Sequence, residues 1–301
     1  MPIEVIFFIE VLAGGLLAGV MYSLVALGFV LIYKASGVFN FAQGAMVFFA
    51  ALTFVSLLEM QWNFWLALLV TLAVMVVLGL VTERVVLRPL INQAPITLFM
   101  ATIGLTFVLE GLSQLVWGSQ PHGLELGIPD VPMEWLSQRW NMNISQFDLF
   151  AAGVAGVLVA VLAVFFQKTR IGRALRAVAD DHQAALAVGI PLQHIWAIVW
   201  GVAGFVALVA GLIWGVRNGV QFALTFVALK ALPVLLIGGF ESIPGAILGG
   251  LIIGATEKVA EVYFGPMVGG GIESWFAYVV ALLFLLVRPE GLFGEKHIDR
   301  V

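Results

Sequence analysis

Residues 7–33 read FFIEVLAGGLLAGVMYSLVALGFVLIY, a run of 27 residues whose only charge is Glu10. As an α-helix it would be roughly 40 Å long, more than the ~30 Å hydrocarbon core of a bilayer. Nothing in a small soluble core asks for an apolar run of that length, so this stretch places the chain in a membrane. No Lys or Arg precedes Lys34, so the start lacks the positive region of a cleavable signal peptide.

Working outward, the pattern recurs. Nine apolar segments stand at about 7–33, 38–58, 63–82, 95–117, 148–167, 194–216, 220–238, 242–262 and 274–288. Hydrophobic residues make up 62% of the 301, and charged residues 11%, against roughly 45–50% and about 25% in soluble domains. A soluble enzyme, a nucleic-acid binder and a disordered chain are excluded. The expected fold is all-α: a polytopic transmembrane helical bundle of about eight to nine spans, one domain over 1–301. The segment at 274–288 is short, and 220–262 is nearly continuous apart from a Gly/Pro break. Full spans and re-entrant or broken helices are both open for these. Gly28-Phe29-Val30 followed by Gly37-Val38-Phe39 is echoed by Gly204-Phe205-Val206 followed by Gly219-Val220-Gln221-Phe222. An inverted repeat and chance both account for that match.

Basic residues set the expected orientation. With the N-terminus outside, the inner side holds Lys34, Arg84, Arg88, Lys168, Arg170, Arg173, Arg176, Arg288, Lys296 and Arg300, and the outer side holds only Arg139, Arg217 and Lys258. That bias fits the positive-inside rule and puts the C-terminus inside. The outer loop, about 118–147, carries three prolines and Trp135 and Trp140. It reads as a capping loop with interfacial tryptophans or as a docking surface for an external partner. The inner loop, 168–193, begins with a basic stretch. Asp180-Asp181 is placed to cap a short helix through Ala184, Ala185 and Val188, with Gly189 at its C-cap and Pro191 beyond. A plain amphipathic connector and a protein-docking helix both fit.

Polar residues at membrane depth need a cavity or a partner. Asn40 and Gln43, between Gly37 and Gly44, mark either a hairpin turn or a broken helix aimed at a solute. Thr102, Thr106, Glu110 and Ser113 or Gln114 follow one another by about four residues on one helix, with Glu110 read as the only carboxylate well inside an apolar span. They line a pathway or bond helix to helix. Asn218, Gln221 and Lys230 form a third set, with Lys230 expected to pair with Glu110 or a headgroup, or to snorkel. Gly238, Gly239, Pro244, Gly245, Gly249 and Gly250 read as a packing and hinge element, by their small-xxx-small spacing. No phosphate loop, zinc-protease helix or nucleophile elbow is present, there are no cysteines, and the four histidines are not at ligand spacing. No catalytic and no metal-binding residue is therefore assigned. A self-sufficient channel or ion-coupled carrier, with Glu110 and Lys230 as relay residues, is the alternative to an ATP-driven system.

Four stretches in order carry a resemblance. They are Ala26-Leu27-Gly28 through Asn40-Phe41-Ala42-Gln43-Gly44, Gly172-Arg173-Ala174 through Gly189-Ile190, Gly238-Gly239 with Ser242-Ile243-Pro244-Gly245-Ala246 and Gly249-Gly250, and Arg288-Pro289 with Gly291-Leu292 and Gly294. Together they resemble the membrane permease subunit of bacterial branched-chain amino acid ABC importers, the LivH type, over nearly the whole length. The resemblance implies a second related permease, two cytoplasmic ATPase subunits and a periplasmic solute-binding protein as partners, with lipid around them. It implies no cofactor in this chain, and ATP and Mg on the ATPase subunits. The loop at about Asp180–Val188 becomes the coupling helix, with Ala184, Ala185 and Gly189 at the ATPase contact, and the location becomes the bacterial inner membrane. Ala45 stands where many members carry an acidic residue, and relatives also carry urea, short-chain amides and aromatic acids.

Overall fold

The computed structural model describes residues 3–90, 93–180 and 182–294; Asp181, Lys296 and Arg300 lie outside them. In chain order the helices are α1 (Ile3–Ser36), α2 (Gln43–Glu59), α3 (Phe64–Val81), α4 (Pro95–Trp117), α5 (Glu134–Trp140), α6 (Gln146–Lys168), α7 (Arg170–Asp180), α8 (His182–Ala187), α9 (Leu192–Asn218), α10 (Val227–Gly238), α11 (Ile243–Val268) and α12 (Phe276–Val287). Among the described residues the only β features are two isolated bridges, His122 with Val220 and Pro132 with Ser145. The nine apolar segments are nine of these helices. Six are long and apolar enough to cross a membrane: α1, α3 with its extension to Leu90, α4, α6, α9 and α11. The helices α2, α10 and α12 are shorter.

Contacts divide the chain into two interleaved units: Met1–Leu27 with Gly127–Ala160 and Lys230–Val301, and Gly28–Leu126 with Val161–Leu229. In the first unit, α1 and α11 meet through glycines. A Cβ on Gly15 would lie 2.6 Å from the Gly254 carbonyl, and one on Gly19 would lie 2.9 Å from Leu251 Cα. Small residues let the backbones close in where lipid supplies no hydrophobic drive between helices. The packing element expected at 238–250 sits in the same unit. Ser242 caps α11 by accepting from the Gly245 N–H (3.0 Å), and Pro244 stands in the first turn, where no N–H is missed. Gly249 packs on the Val234 carbonyl of α10, while Gly238 and Gly245 touch backbone to backbone. Gly239 adopts φ +98°. The C-terminal Leu292 and Phe293 then donate to the Ile237 and Gly238 carbonyls (2.7 and 3.3 Å). The Arg288–Gly294 ending thus satisfies carbonyls that α10 leaves open at its end.

In the second unit α9 is the hub. Gly79 of α3 fits against the Trp200 carbonyl, Gly204 against the Met75 carbonyl, and Gly211 against the Val47 carbonyl of α2, with would-be Cβ distances of 2.6–2.7 Å. Trp196 donates its indole N–H to the Ala35 carbonyl (2.9 Å). Past α3 the helix loosens into a π turn, Thr82–Leu87, where buried Glu83 takes a two-pronged bond from Arg88 (2.8 and 3.0 Å). The basic start of the 168–193 loop, read as a stretch flanking a short helix, is itself the helix α7.

Candidate functional site

The first break begins where α1 ends at Ser36 and Gly37 turns left-handed (φ +69°). The chain does not leave the bundle there. Helix α2 starts beside Gly28, since a Cβ on Gly28 would lie 2.9 Å from Gln43 Nε2. Gly28 is eight residues, about 12 Å, back from the end of α1. Backbone turned inward at that depth has to satisfy itself. Asn40 and Gln43, both fully buried, do that work. Asn40 Oδ1 accepts from the Ala42 N–H (3.1 Å) and its Nδ2 donates to Gln43 Oε1 (3.2 Å). Gln43 Nε2 donates to the Ala203 carbonyl of α9 (3.4 Å). Thr102 of α4 holds the other side: its Oγ1 accepts from the Phe41 N–H (3.3 Å) and reaches the Phe99 carbonyl (2.8 Å).

The second break has the same plan. Helix α9 ends at Asn218, Gly219 turns left-handed (φ +71°), and a 3₁₀ turn, Phe222–Phe226, leads into α10. Val220 pairs through both backbone groups with His122 (2.9 and 3.0 Å), and Gln221 Nε2 donates to the Asn218 carbonyl (3.0 Å). Within this unit the two breaks converge. Gly44 packs on the Thr225 carbonyl, and a Cβ there would lie 3.0 Å from that of Ala228. The paired motifs of the sequence thus become two helix interruptions that bring short-helix N-termini together, the arrangement in which transporters build solute sites.

The polar stripe of α4 splits. Thr102 and Ser113 are buried, Thr106 and Glu110 are half-buried, and Gln114 is exposed. Four-residue steps overrun a 3.6-residue turn by about 40° each, so the series rotates off the packed face by about 120° between 102 and 114. The hydroxyls of Thr106 and Ser113 bond carbonyls of their own helix (Thr102 and Leu109; 3.0 and 2.8 Å). Asn218 is exposed and Gln221 half-buried.

Lys230 does not pair with Glu110. In the first unit its Nζ donates to Glu257 Oε1 (2.6 Å) and to the Glu273 carbonyl (2.9 Å), and it lies 5.9 Å from the Tyr22 ring centroid. Tyr22 donates its hydroxyl to the same Glu257 oxygen (3.2 Å). Glu257 is 3% exposed. The reading of Glu110 as the only carboxylate inside an apolar span is therefore corrected. Glu257 lies inside the apolar segment at 242–262, and α11 runs on to Val268, so the carboxylate sits at depth in that helix. The available signal was Lys230 itself, a cation at depth that required an anion.

In the 168–193 loop, Asp180 is the last residue of α7 and exposed, and Asp181 lies outside the described residues. Gly189 is left-handed (φ +83°), with Ile190 N–H on the Ala185 carbonyl (2.9 Å) and Gly189 N–H on the Leu186 carbonyl (3.0 Å). That is the two-bond Schellman closure a glycine C-cap makes. Ala185 points inward at 2% exposure, while Ala184, Leu186 and Val188 form an exposed edge.

Residues 11–288 match the family described as branched-chain amino acid transport system / permease component. The chain is 28% identical, over 99% of both chains, to the high-affinity branched-chain amino acid transport system permease protein BraD of Pseudomonas aeruginosa. It is 26% identical, again over 99% of both, to LivH of Escherichia coli K12. It is also 23% identical to the fructose import permease protein FruF of Bifidobacterium longum, over 89% of this chain and 75% of that one.

Proposed function

The chain belongs to the branched-chain amino acid transport system permease family, and from that premise we propose that it is the membrane permease subunit of an ATP-driven importer of branched-chain aliphatic amino acids. The observation that carries the reading is the family match over residues 11–288. In this reading the protein is multi-pass in the bacterial inner membrane, N-terminus outside and C-terminus inside. It pairs with a second related permease. Two ATPase subunits, which bind ATP and Mg, dock on the edge formed by Ala184 and Leu186 of α8 and Val188 just past its end, and a periplasmic binding protein delivers the solute. ATPase closure pushes α8, whose C-terminus is closed by the Gly189 cap and which packs with α9. Helix α9 carries both the Ala203 anchor of the first break and the start of the second. Motion is thereby delivered to the place where the short helices converge, as alternating access requires.

The test is co-purification of the tagged chain followed by mass spectrometry, with ATP-dependent uptake of radiolabelled leucine by vesicles holding all subunits. An ATPase and a second permease should come with the chain. Val188→Asp should lose the ATPase while inserting normally. Transport by the purified chain alone would replace this reading with a self-sufficient carrier. Uptake of urea, an amide or an aromatic acid in place of leucine would keep the permease and change the solute.

A further inference from the structure

We propose that the elbow between α6 and α7 is a binding site for the phosphodiester headgroup of an anionic lipid. The elbow is compact. Thr169 Oγ1 bonds the Phe165 carbonyl (2.7 Å) and accepts from the Gly172 N–H (3.2 Å), and Gly172 sits on the Phe166 backbone so tightly that a Cβ would lie 2.7 Å from Phe166 Cα. That fold-back gathers Lys168, Arg170, Arg173 and Arg176 around the last turn of α6. Arg176 donates to the Phe166 and Gln167 carbonyls (3.0 and 3.2 Å), and Arg173 reaches the Lys168 carbonyl (3.4 Å). These bonds close the helix end, whose dipole is worth about half a charge, and leave most of the four positive charges uncompensated by it. Lys168, Arg170 and Arg173 are exposed.

Depth and rigidity identify the occupant. Helix α6 has 23 residues, so it is about 34 Å long, and Lys168, its last residue, falls where hydrocarbon gives way to headgroups. The inner face of α7 is held in its unit by buried Gly172, Leu175 and Val178. The backbone that carries the cations is therefore held in place, with Arg173 and Arg176 tied to the end of α6. A cluster of four basic residues next to a span attracts anionic lipid by an electrostatic increment for each residue. The exposed apolar edge suited to a protein partner lies at Leu186 of α8 and Val188 just past its end. Arg guanidinium groups bind phosphate oxygens in pairs, while Lys supplies a point charge.

The test uses the full chain purified in mild detergent from membranes containing phosphatidylglycerol, with bound lipid counted by native mass spectrometry. Wild type should retain phosphatidylglycerol over phosphatidylcholine. The triple variant Lys168→Gln/Arg170→Gln/Arg173→Gln should retain it roughly a hundredfold more weakly, while Arg139→Gln/Lys258→Gln should behave as wild type. If the triple variant does not insert, Arg170→Gln alone, with about a several-fold loss, carries the test. Wild type should also lose the lipid in about 0.5 M salt, where screening is short-ranged. Equal retention by wild type and variant, or retention indifferent to salt, overturns the proposal. So does a variant that keeps the lipid and loses an ATPase partner, since the cations would then serve an acidic protein surface.

Discussion

Glu257→Leu should destabilise the protein far more than Lys230→Met with Glu257→Leu together. The carboxylate is 3% exposed and accepts from both Lys230 (2.6 Å) and Tyr22 (3.2 Å). Removing it leaves an ammonium beside an aromatic ring with one carbonyl partner, and breaking a buried ion pair from one side costs about 3–5 kcal/mol. The Lys230 side chain is 27% exposed against 4% for Glu257, so the stranded lysine can reach outward and its figure belongs at the low end. Lys230→Met strands the more buried partner and belongs at the high end. The double apolar variant removes both charges from a site where each had been desolvated, and should fall within about 1–2 kcal/mol of wild type. The assay is equilibrium unfolding of the detergent-solubilised chain across the four members of the cycle. From those figures a coupling energy of about 6 kcal/mol is expected. Additivity within about 0.5 kcal/mol would refute the reasoning, because the pair would then contribute nothing beyond its separate members.

Gly254→Val should disrupt the α1–α11 contact, because even a Cβ there would reach 2.5 Å from Gly19 Cα; a loss of at least about 1–3 kcal/mol is expected in the same unfolding assay. Gly104→Ala, where nothing lies within 4 Å, should be neutral or gain up to about 1 kcal/mol in helix propensity. Asn40→Leu should leave the Ala42 N–H and Gln43 Oε1 without their partner, costing about 1–3 kcal/mol, and should lower leucine uptake by vesicles holding all subunits at unchanged expression; full uptake would remove the first break from the transport machinery.

Much of the architecture was legible residue by residue. Apolar run length marks the nine helices, with edges moving by a few residues at most sites. The larger shifts are at the start of α10, 227 against 220, and at the end of α11, 268 against 262. Gly37, Gly189 and Gly219 sit where a left-handed residue was needed, and each has φ between +69° and +83°. Gly37-Val38 and Gly219-Val220 each stand at a helix interruption, the first held by Asn40 and Gln43 and the second by a 3₁₀ turn and the His122 backbone pair. The basic run at 168–176 stands out as charge, and the helix it belongs to is marked only by Ile171, Ala174, Leu175 and Val178 at i, i+3, i+4 and i+7 spacing.

What the sequence determined by itself is what a helix encodes locally: length against bilayer thickness, caps, breaks and the requirement that Lys230 find an anion. Only the tertiary structure decided the pairings. Gly15 and Gly19 meet residues more than two hundred positions away, Lys230 takes Glu257 and not Glu110, and α2 starts beside Gly28 where a surface hairpin was equally open. The physical reason lies in the helices. In a soluble protein the apolar stripe names the face that packs. Here α1, α3 and α11 are apolar nearly all round, and lipid rewards no face over another. The choice falls to close glycine contacts and to a few polar groups, whose partners are fixed by three-dimensional proximity.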